Sequence, residues 1–263
     1  MCRGTARRAN AEEEGDFMGL LTGKRIIVTG ASRGIGKQMV QTFAEHGADI
    51  CAVTRTENEA FLNWAGELAE RYQVSITNYC FDLTDYAEMQ KAVKEIGAAG
   101  PITGLVCNAG VAHNGMLQTT SIDKMREIME INFFAQMRLC QLVSRNMIRH
   151  KQGSIVLLGS VGGLEARAGY IAYGASKAAA MWAARSLAQE LGAYNIRVNS
   201  VAPGLTDTDQ MAVRSEESIQ KNLESSALRR LATPREIADA AAYLLSDMAS
   251  FTTGQVLRVD GGK

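Results

Sequence analysis

Tyr173 and Lys177, in the run Tyr173-Gly174-Ala175-Ser176-Lys177, are spaced to share one face of a helix. A free tyrosine titrates near pH 10, too high for efficient base chemistry at neutrality, and an ammonium one turn away stabilises the phenolate and draws it toward the working range. Such a pair can pass a proton to or from a substrate oxygen. Ser160, thirteen residues before Tyr173, ends the fifth β-type run. The spacing is common by itself and gains weight only from what surrounds it.

A second group of residues points to a phosphate. Thr29-Gly30-Ala31-Ser32-Arg33-Gly34-Ile35-Gly36 follows a β-type run and leads into a helical one. Gly30, Gly34 and Gly36 let the backbone turn tightly and approach a pyrophosphate, while Ser32, Arg33 and Ile35 sit where a helix N-terminus presents free N–H groups. An NAD enzyme usually carries a carboxylate at the end of the second strand, but Thr54 and Arg55 stand there. A guanidinium suits a 2′-phosphate, and Arg33 adds another cation. NADP(H) is therefore the preferred cofactor, with NAD(H) left open. Asp82-Leu83 could meet the adenine edge and Asn108-Ala109-Gly110 could close the cofactor groove; each is also an ordinary strand terminus.

The elements that must position these groups are legible as alternating β-branched and amphipathic runs. Strand candidates are 25–29, 49–54, 75–81, 102–107, 154–159, 197–201 and 255–259; helical windows are 36–46, 58–72, 85–96, 122–149, 173–191 and 234–245. Thr233, Pro234 and Glu236 form a helix-start signature. The pattern predicts a single α/β domain over residues 18–263, with a Rossmann-like doubly wound parallel sheet of about seven strands and helices on both faces. Residues 1–17 read as a disordered tail. The polar stretch from about 203 to 230 follows the sixth strand and is the candidate substrate lid.

Composition narrows the function further. The 263 residues carry 28 basic and 28 acidic side chains, so no global field draws the chain to nucleic acid or to an anionic membrane. No apolar run is long enough to span a bilayer. Five cysteines without a C-x-x-C pair suggest a reducing, cytoplasmic setting, and three scattered histidines argue against a histidine-rich metal site.

Taken together, Thr29 to Gly36, Asp82, Asn108-Ala109-Gly110, Asn132, Ser160, Tyr173, Lys177, Pro203-Gly204 and the closing Val259-Asp260-Gly261-Gly262 resemble the short-chain dehydrogenase/reductase family from about Leu20 to Gly262. The resemblance implies that Tyr173 exchanges a proton with the substrate oxygen while hydride passes between nicotinamide and carbonyl carbon. It implies that Ser160 binds that oxygen, that Lys177 lowers the tyrosine pKa and holds the nicotinamide ribose, and that Asn132 anchors a water in a proton relay. For Asn132, the residues alone leave open a solvent-facing helix position, against which the flanking Ile131, Phe133 and Phe134 suggest a buried neighbourhood where an amide needs partners. Pro203, Gly204, Thr206 and Thr208 correspond to a cofactor-cradling turn.

Within the family, the TGASRGIG loop, the APG turn and Arg230 look closest to 3-oxoacyl-(acyl-carrier-protein) reductases, which bind an acidic carrier through a basic patch. Arg145, Arg149 and Lys151 could supply such a patch, although Tyr194 stands where an arginine is common. A small carbonyl or alcohol substrate, free or carrier-bound, is the expected partner. Sugars, polyols, steroids and small ketones stay open, as does a hydroxylated substrate held by Asp207, Asp209, Arg214 and Glu217. Met116, Met211 and Trp182 could line an apolar pocket. A homotetramer or homodimer is implied, and the Ala180, Ala183, Ala184, Leu187, Leu191 face of the Tyr173 helix could serve either an interface or the core. A non-catalytic dinucleotide-binding protein is the alternative of another class, against which the presence of both Tyr173 and Lys177 argues.

Overall fold

The computed structural model describes residues 19–208, 219–220 and 223–263. The expected tail at 1–17, and Asp209, Met211, Arg214 and Glu217 of the lid, lie outside them. Seven parallel strands form one sheet: β1 (Arg25–Thr29), β2 (Asp49–Thr54), β3 (Ile76–Cys80), β4 (Gly104–Cys107), β5 (Gly153–Leu158), β6 (Ile196–Pro203) and β7 (Val256–Val259), in the order β3-β2-β1-β4-β5-β6-β7. The central strands read as unbroken apolar runs because both of their faces are covered. Ile26 and Val28 face one core and Ile27 the other; Val106 and Val156 join the first, Leu105, Ile155 and Leu157 the second.

Helices α1 (Gly34–Glu45), α2 (Glu59–Tyr72) and α7 (Pro234–Leu245) fill the first core, with Met39, Phe43, Phe61, Ile237 and Leu245 inside. Helices α3 (Tyr86–Ala98), α5 (Ala135–His150) and α6 (Ile171–Leu191) fill the second, with Met89, Leu139, Val143 and Ala184. Of the expected alanine face of α6, Ala183, Ala184 and Leu191 lie in this core, Leu187 packs partly buried against it, and Ala180 is buried as well. Because the chain runs outward from β1 to β3 and returns to β4 beside β1, the loops after β1 and β4 open a crevice at the carboxyl ends of the strands.

Most helices start on a polar side chain that accepts a first-turn N–H: Asn58 for α2, Asp85 for α3, Ser121 for α4 (Ile122–Met129), and Thr233 for α7 in a full capping box with Glu236. Helices α1 and α6 have no side-chain cap. Both begin at the crevice.

The expected single helix over 122–149 is instead three pieces. Between α4 and α5 the residues Glu130–Phe134 form a π-helical turn, closed by the Ala135 N–H donating to the Glu130 carbonyl. Such wide turns interrupt helices at functional positions, and this one contains Asn132.

Candidate active site

The loop after β1 is built chiefly from main chain. Buried Thr29 accepts the N–H groups of Asn108 and Ala109, each at 3.0 Å, and the Asn108 amide donates to the Thr29 carbonyl at 2.9 Å and the Gly30 carbonyl at 3.3 Å. The ends of β1 and β4 are thus stitched together, and the Asn108 side chain is a brace within that seam. Gly30 and Gly34 have positive φ (66° and 54°), and a Cβ on Gly36 would stand 2.1 Å from the Gly30 carbonyl oxygen. Only glycine lets α1 sit so close to its own loop. Arg33 precedes α1 in extended conformation without capping it. The first-turn N–H groups and the positive helix end therefore face a space suited to a dinucleotide pyrophosphate. Thr208 borders it, its methyl 3.6 Å from where a Gly34 Cβ would lie.

At the adenine side the predicted residues behave differently from one another. Arg33 and Arg55 are exposed, whereas Thr54 is buried with its hydroxyl donating to Asn78 Oδ1 at 3.0 Å, and Leu83 is buried in the core. These two positions can offer a ligand main chain rather than side chain. Asp82 lies two residues past β3; its carboxylate accepts the Thr84 N–H (2.9 Å) and hydroxyl (2.7 Å). Those bonds hold it below the usual carboxylate range, with Arg55 adding a weaker pull.

The titratable cluster lies where β5, the π turn and α6 meet. Asn132 is 1% exposed, which excludes the solvent-facing reading. Its Oδ1 accepts the Val111 N–H at 2.8 Å, and its amide donates to the Val111 carbonyl and to Ser176 Oγ, both at 3.0 Å. Ser176 in turn donates to the Tyr173 carbonyl at 2.7 Å. The loop behind Gly110 is thereby tied to the first turn of α6.

Lys177, 6% exposed, donates from Nζ to the Leu158 carbonyl at 2.8 Å, and among the described residues no carboxylate pairs with it. Burial pulls its ammonium down to about 8. A Cβ on Gly110 would touch both Lys177 Nζ (3.4 Å) and Asn132 Oδ1 (3.0 Å), so these two groups border one point beside the Asn108-Ala109-Gly110 turn. Ser160 lies two residues beyond β5 and accepts the Gly162 N–H at 3.1 Å, leaving its hydroxyl proton able to donate. Tyr173 is half-buried in the first turn of α6, its ring edge-on to Tyr170 at 5.8 Å. Ser160 beyond the end of β5 and Tyr173 and Lys177 in the first turns of α6 offer a hydroxyl, a phenol and an ammonium, chemistries able to protonate and steady a carbonyl oxygen.

The turn after β6 closes the other wall. Pro203 ends the strand, Gly204 donates to the Val259 carbonyl at 2.9 Å, and Thr206 is buried, its hydroxyl donating to the Gly204 carbonyl at 3.2 Å. A cavity of about 220 Å³ lies between the described residues that follow β6 and the closing segment, bordered by Leu205, Leu223, Leu228, Arg230 and Arg258.

Other expectations fail in place. Arg145, Arg149 and Lys151 stand at the end of α5, immediately before β5 begins. Ser160 follows the opposite end of that six-residue strand, about 20 Å away. Within one subunit they do not flank the site mouth, because α5 runs antiparallel to the strand it precedes. Trp182 and Met116, 68% and 54% exposed, lie on the surface rather than beneath an apolar pocket wall. The residue types alone did not reveal what three residues contribute. Ser176 stands three residues after Tyr173, a spacing that could have revealed it. Thr29 heads the glycine loop. Gln136, buried and donating to the Ala109 carbonyl at 2.9 Å, carried no signal. Its Oε1 has no protein partner among the described residues.

A family model described as enoyl-(acyl carrier protein) reductase matches residues 30–263. The chain is 36% identical to the 3-oxoacyl-[acyl-carrier-protein] reductase FabG of Chlamydia muridarum, over 92% of this chain and 98% of the relative. It is 35% identical to the protein of the same name from Aquifex aeolicus, again over 92% and 98%. Among solved structures, a 7α-hydroxysteroid dehydrogenase complexed with NADH and 7-oxo glycochenodeoxycholic acid is 34% identical with a TM-score of 0.87, covering 92% of this chain and 94% of that one. A short-chain type dehydrogenase/reductase from Mycobacterium ulcerans is 32% identical with a TM-score of 0.86, covering 92% and 90%.

Proposed function

The chain belongs to the short-chain dehydrogenase/reductase family and is an NAD(P)-dependent oxidoreductase, and from that premise we propose that it is an NADP(H)-dependent carbonyl reductase, most closely of 3-oxoacyl thioesters. The observation that carries the acid/base assignment is Lys177. An ammonium buried without a carboxylate is costly, and a phenolate forming on Tyr173 one turn away gives it a purpose.

In the reductive direction Tyr173 gives its phenolic proton to the substrate oxygen, and Ser160 holds that oxygen by a hydrogen bond. A bound nicotinamide supplies the hydride that reaches the carbonyl carbon. Lys177 stabilises the phenolate that is left and holds the ribose. Asn132, fixed between Val111 and Ser176, anchors the relay by which Tyr173 regains its proton. Gly30, Ser32, Gly34, Ile35 and Gly36 with the α1 N-terminus receive the pyrophosphate, flanked by Thr208 and the 203–206 turn. Asp82, Leu83, Asn108, Ala109 and Gly110 border the adenosine and ribose. The NADP preference rests on exposed Arg33 and Arg55 and on the absence of a carboxylate directly after β2.

The segment 203–230 is assigned as substrate lid, and the setting as cytoplasmic. Identity of 34–36% to several 3-oxoacyl reductases over 91–93% of the chain supports the thioester substrate. The similarly identical steroid dehydrogenase favours a second reading, a cyclic ketone. The exposed apolar side chains Phe134, Ile171, Trp182, Met248 and Phe251 support a homotetramer or a homodimer. An antiparallel neighbour along α5 would carry the Arg145–Lys151 patch toward a partner's site, where an acidic carrier could dock.

The test is NADPH oxidation against an acetoacetyl thioester, a keto-sugar and a cyclic ketone, with NADH in parallel. The expected result is fastest turnover of the thioester with NADPH. Tyr173→Phe is expected to bind NADPH normally and lose at least about a hundredfold in kcat; full turnover by that variant would refute the mechanism. Because kcat/KM reports ionisations of the enzyme before substrate binds, it is expected to fall as pH rises through about 8, where Lys177 loses its charge.

A further inference from the structure

The loop from Ser160 to Tyr173 is fastened at one acidic residue. Glu165 Oε1 accepts from Arg258 Nη2 at 2.8 Å, and Glu165 Oε2 from Arg167 Nη2 at 3.2 Å. Arg258, on β7, also binds the Asp260 carboxylate at 2.7 Å and the Lys263 carbonyl. Two acids and two guanidiniums thus form a charge-balanced chain, with Asp260 7% exposed and the others partly shielded. Burial alone would raise the Glu165 carboxyl, yet hydrogen bonds from Arg258 and Arg167 hold it below its ordinary value, so it is ionised at neutral pH.

Two routes lead inward from Glu165. Along the chain, the Glu165 and Leu164 N–H groups donate to the Val161 carbonyl (2.9 and 3.0 Å), and the Gly163 N–H donates to the Ser160 carbonyl at 2.9 Å. This compact turn also supplies the Gly162 N–H that orients the Ser160 hydroxyl. Through space, the Arg167 guanidinium lies 6.0 Å from the Tyr170 ring centroid, and the Tyr170 ring meets that of Tyr173 edge-on. One carboxylate therefore braces both groups that would grip a substrate oxygen, and ties them to the last strand of the sheet.

We propose that Glu165 is a positioning residue which, bridged between Arg258 and Arg167, fixes the separation of Ser160 and Tyr173. The proposal rests on the acid/base reading above, since it gives a purpose to that separation. Transfer of a proton and a hydride to one carbonyl demands both groups in register, and misplacement by about an ångström costs orders of magnitude in rate while leaving distant binding contacts intact. Glu165 reaches neither the glycine loop nor the Arg33 and Arg55 side, so cofactor affinity is independent of it.

Glu165→Gln keeps the shape and removes the charge. In the full-length enzyme, with the panel substrate reduced fastest, kcat is expected to fall between about ten- and a hundredfold, with KM and NADPH affinity within about twofold of wild type and the solvent isotope effect on kcat increased. Glu165→Asp should recover part of the rate. Glu165→Gln/Arg258→Gln should be no slower than Glu165→Gln alone, because both break one bridge. Hydrogen exchange of 159–173 in the NADPH-bound form, which needs no substrate, should rise in Glu165→Gln while that of 25–45 stays unchanged.

An unchanged kcat and unchanged exchange in Glu165→Gln would overturn the proposal. So would parallel losses of rate, NADPH affinity and thermal stability, the mark of a merely structural residue. Tyr173→Phe and Ser160→Ala separate the two readings. If both are inactive while Glu165→Gln is normal, only the positioning role fails; if Tyr173→Phe turns over normally, both fall.

Discussion

Helices α1 and α7 lie side by side on one face of the sheet, yet they begin in opposite ways. At the start of α7, Thr233 accepts the Glu236 N–H, Glu236 accepts the Thr233 N–H at 2.8 Å, and Arg230 grips both Glu236 oxygens at 2.6 and 2.8 Å. At the start of α1, Arg33 offers no acceptor and leaves a cation beside an already positive helix end. Helix α7 is closed by its own sequence; α1 is left for an anion to complete. On the function proposed above, stability and binding are thus divided between two neighbouring helices, and the division can be attacked from either side.

The largest effect is expected from Gly36→Ala. With its new methyl 2.1 Å from the Gly30 carbonyl, α1 must separate from its loop at a cost of about 3 kcal/mol, equivalent to about a hundredfold in NADPH affinity. Fluorescence titration showing wild-type affinity would mean that the loop does not form the cradle. Arg33→Asp gives α1 the acceptor it lacks. The apo-protein should gain about 1 kcal/mol, read as a higher thermal midpoint, while NADPH binding weakens by about tenfold or more because a carboxylate occupies the N–H groups and a cation is lost. A variant that gained stability at no cost in affinity would sink the idea that these donors are reserved.

Thr233→Ala should lose about 1 kcal/mol of stability with KM for NADPH unaltered, the mirror image of the Arg33 variant. The smallest effect is in acid. Hydrogen bonding from Arg230, then from the Thr233 main chain, holds the Glu236 carboxyl at about 2 against an ordinary 4.5. A depressed acid contributes stability above its unfolded pKa and loses it as pH falls through the folded one. The melting-temperature gap between wild type and Glu236→Gln should accordingly be constant above about pH 5 and close toward pH 2; a gap that persisted there would place the stabilisation in shape rather than charge.

The same contrast explains what could be read from residues alone. Thr233-Pro234 with Glu236 is local chemistry, complete within four positions, and α7 begins where that signature puts it. Strands such as Ile26–Val28 were legible because burial on both faces selects β-branched residues without a break. The ends of β3 and β4 were drawn too long, since Ser75, Phe81, Ile102 and Thr103 are similar in type to strand residues but lie outside the strands. The glycine loop and the Tyr173/Lys177 pair were visible as spacings. The burial of Asn132 was suggested by its apolar neighbours Ile131, Phe133 and Phe134, but its partners were not, because they are Val111, 21 residues earlier, and Ser176, 44 later. Glu165 and Arg258, 93 residues apart, had no local signal at all. That Thr54, expected among the cofactor contacts, spends its hydroxyl on Asn78 of the neighbouring strand had no local signal either.

The π turn at Glu130–Phe134 has a consequence for how this helix can vary. A wide turn holds one residue more than an α turn, so the stretches on either side are out of phase by about 100°. In an unbroken helix Ile128, Ala135, Leu139 and Val143 would share one stripe; the surplus residue turns Ile128 by about 100° from the other three, yet all four are buried, because α4 packs on α6 while α5 packs on α3. Winding 130–134 as an ideal helix would line up all four and turn one side of the seam away from its partner helix, so the seam is held by packing on both of its sides, quite apart from any chemistry that Asn132 performs.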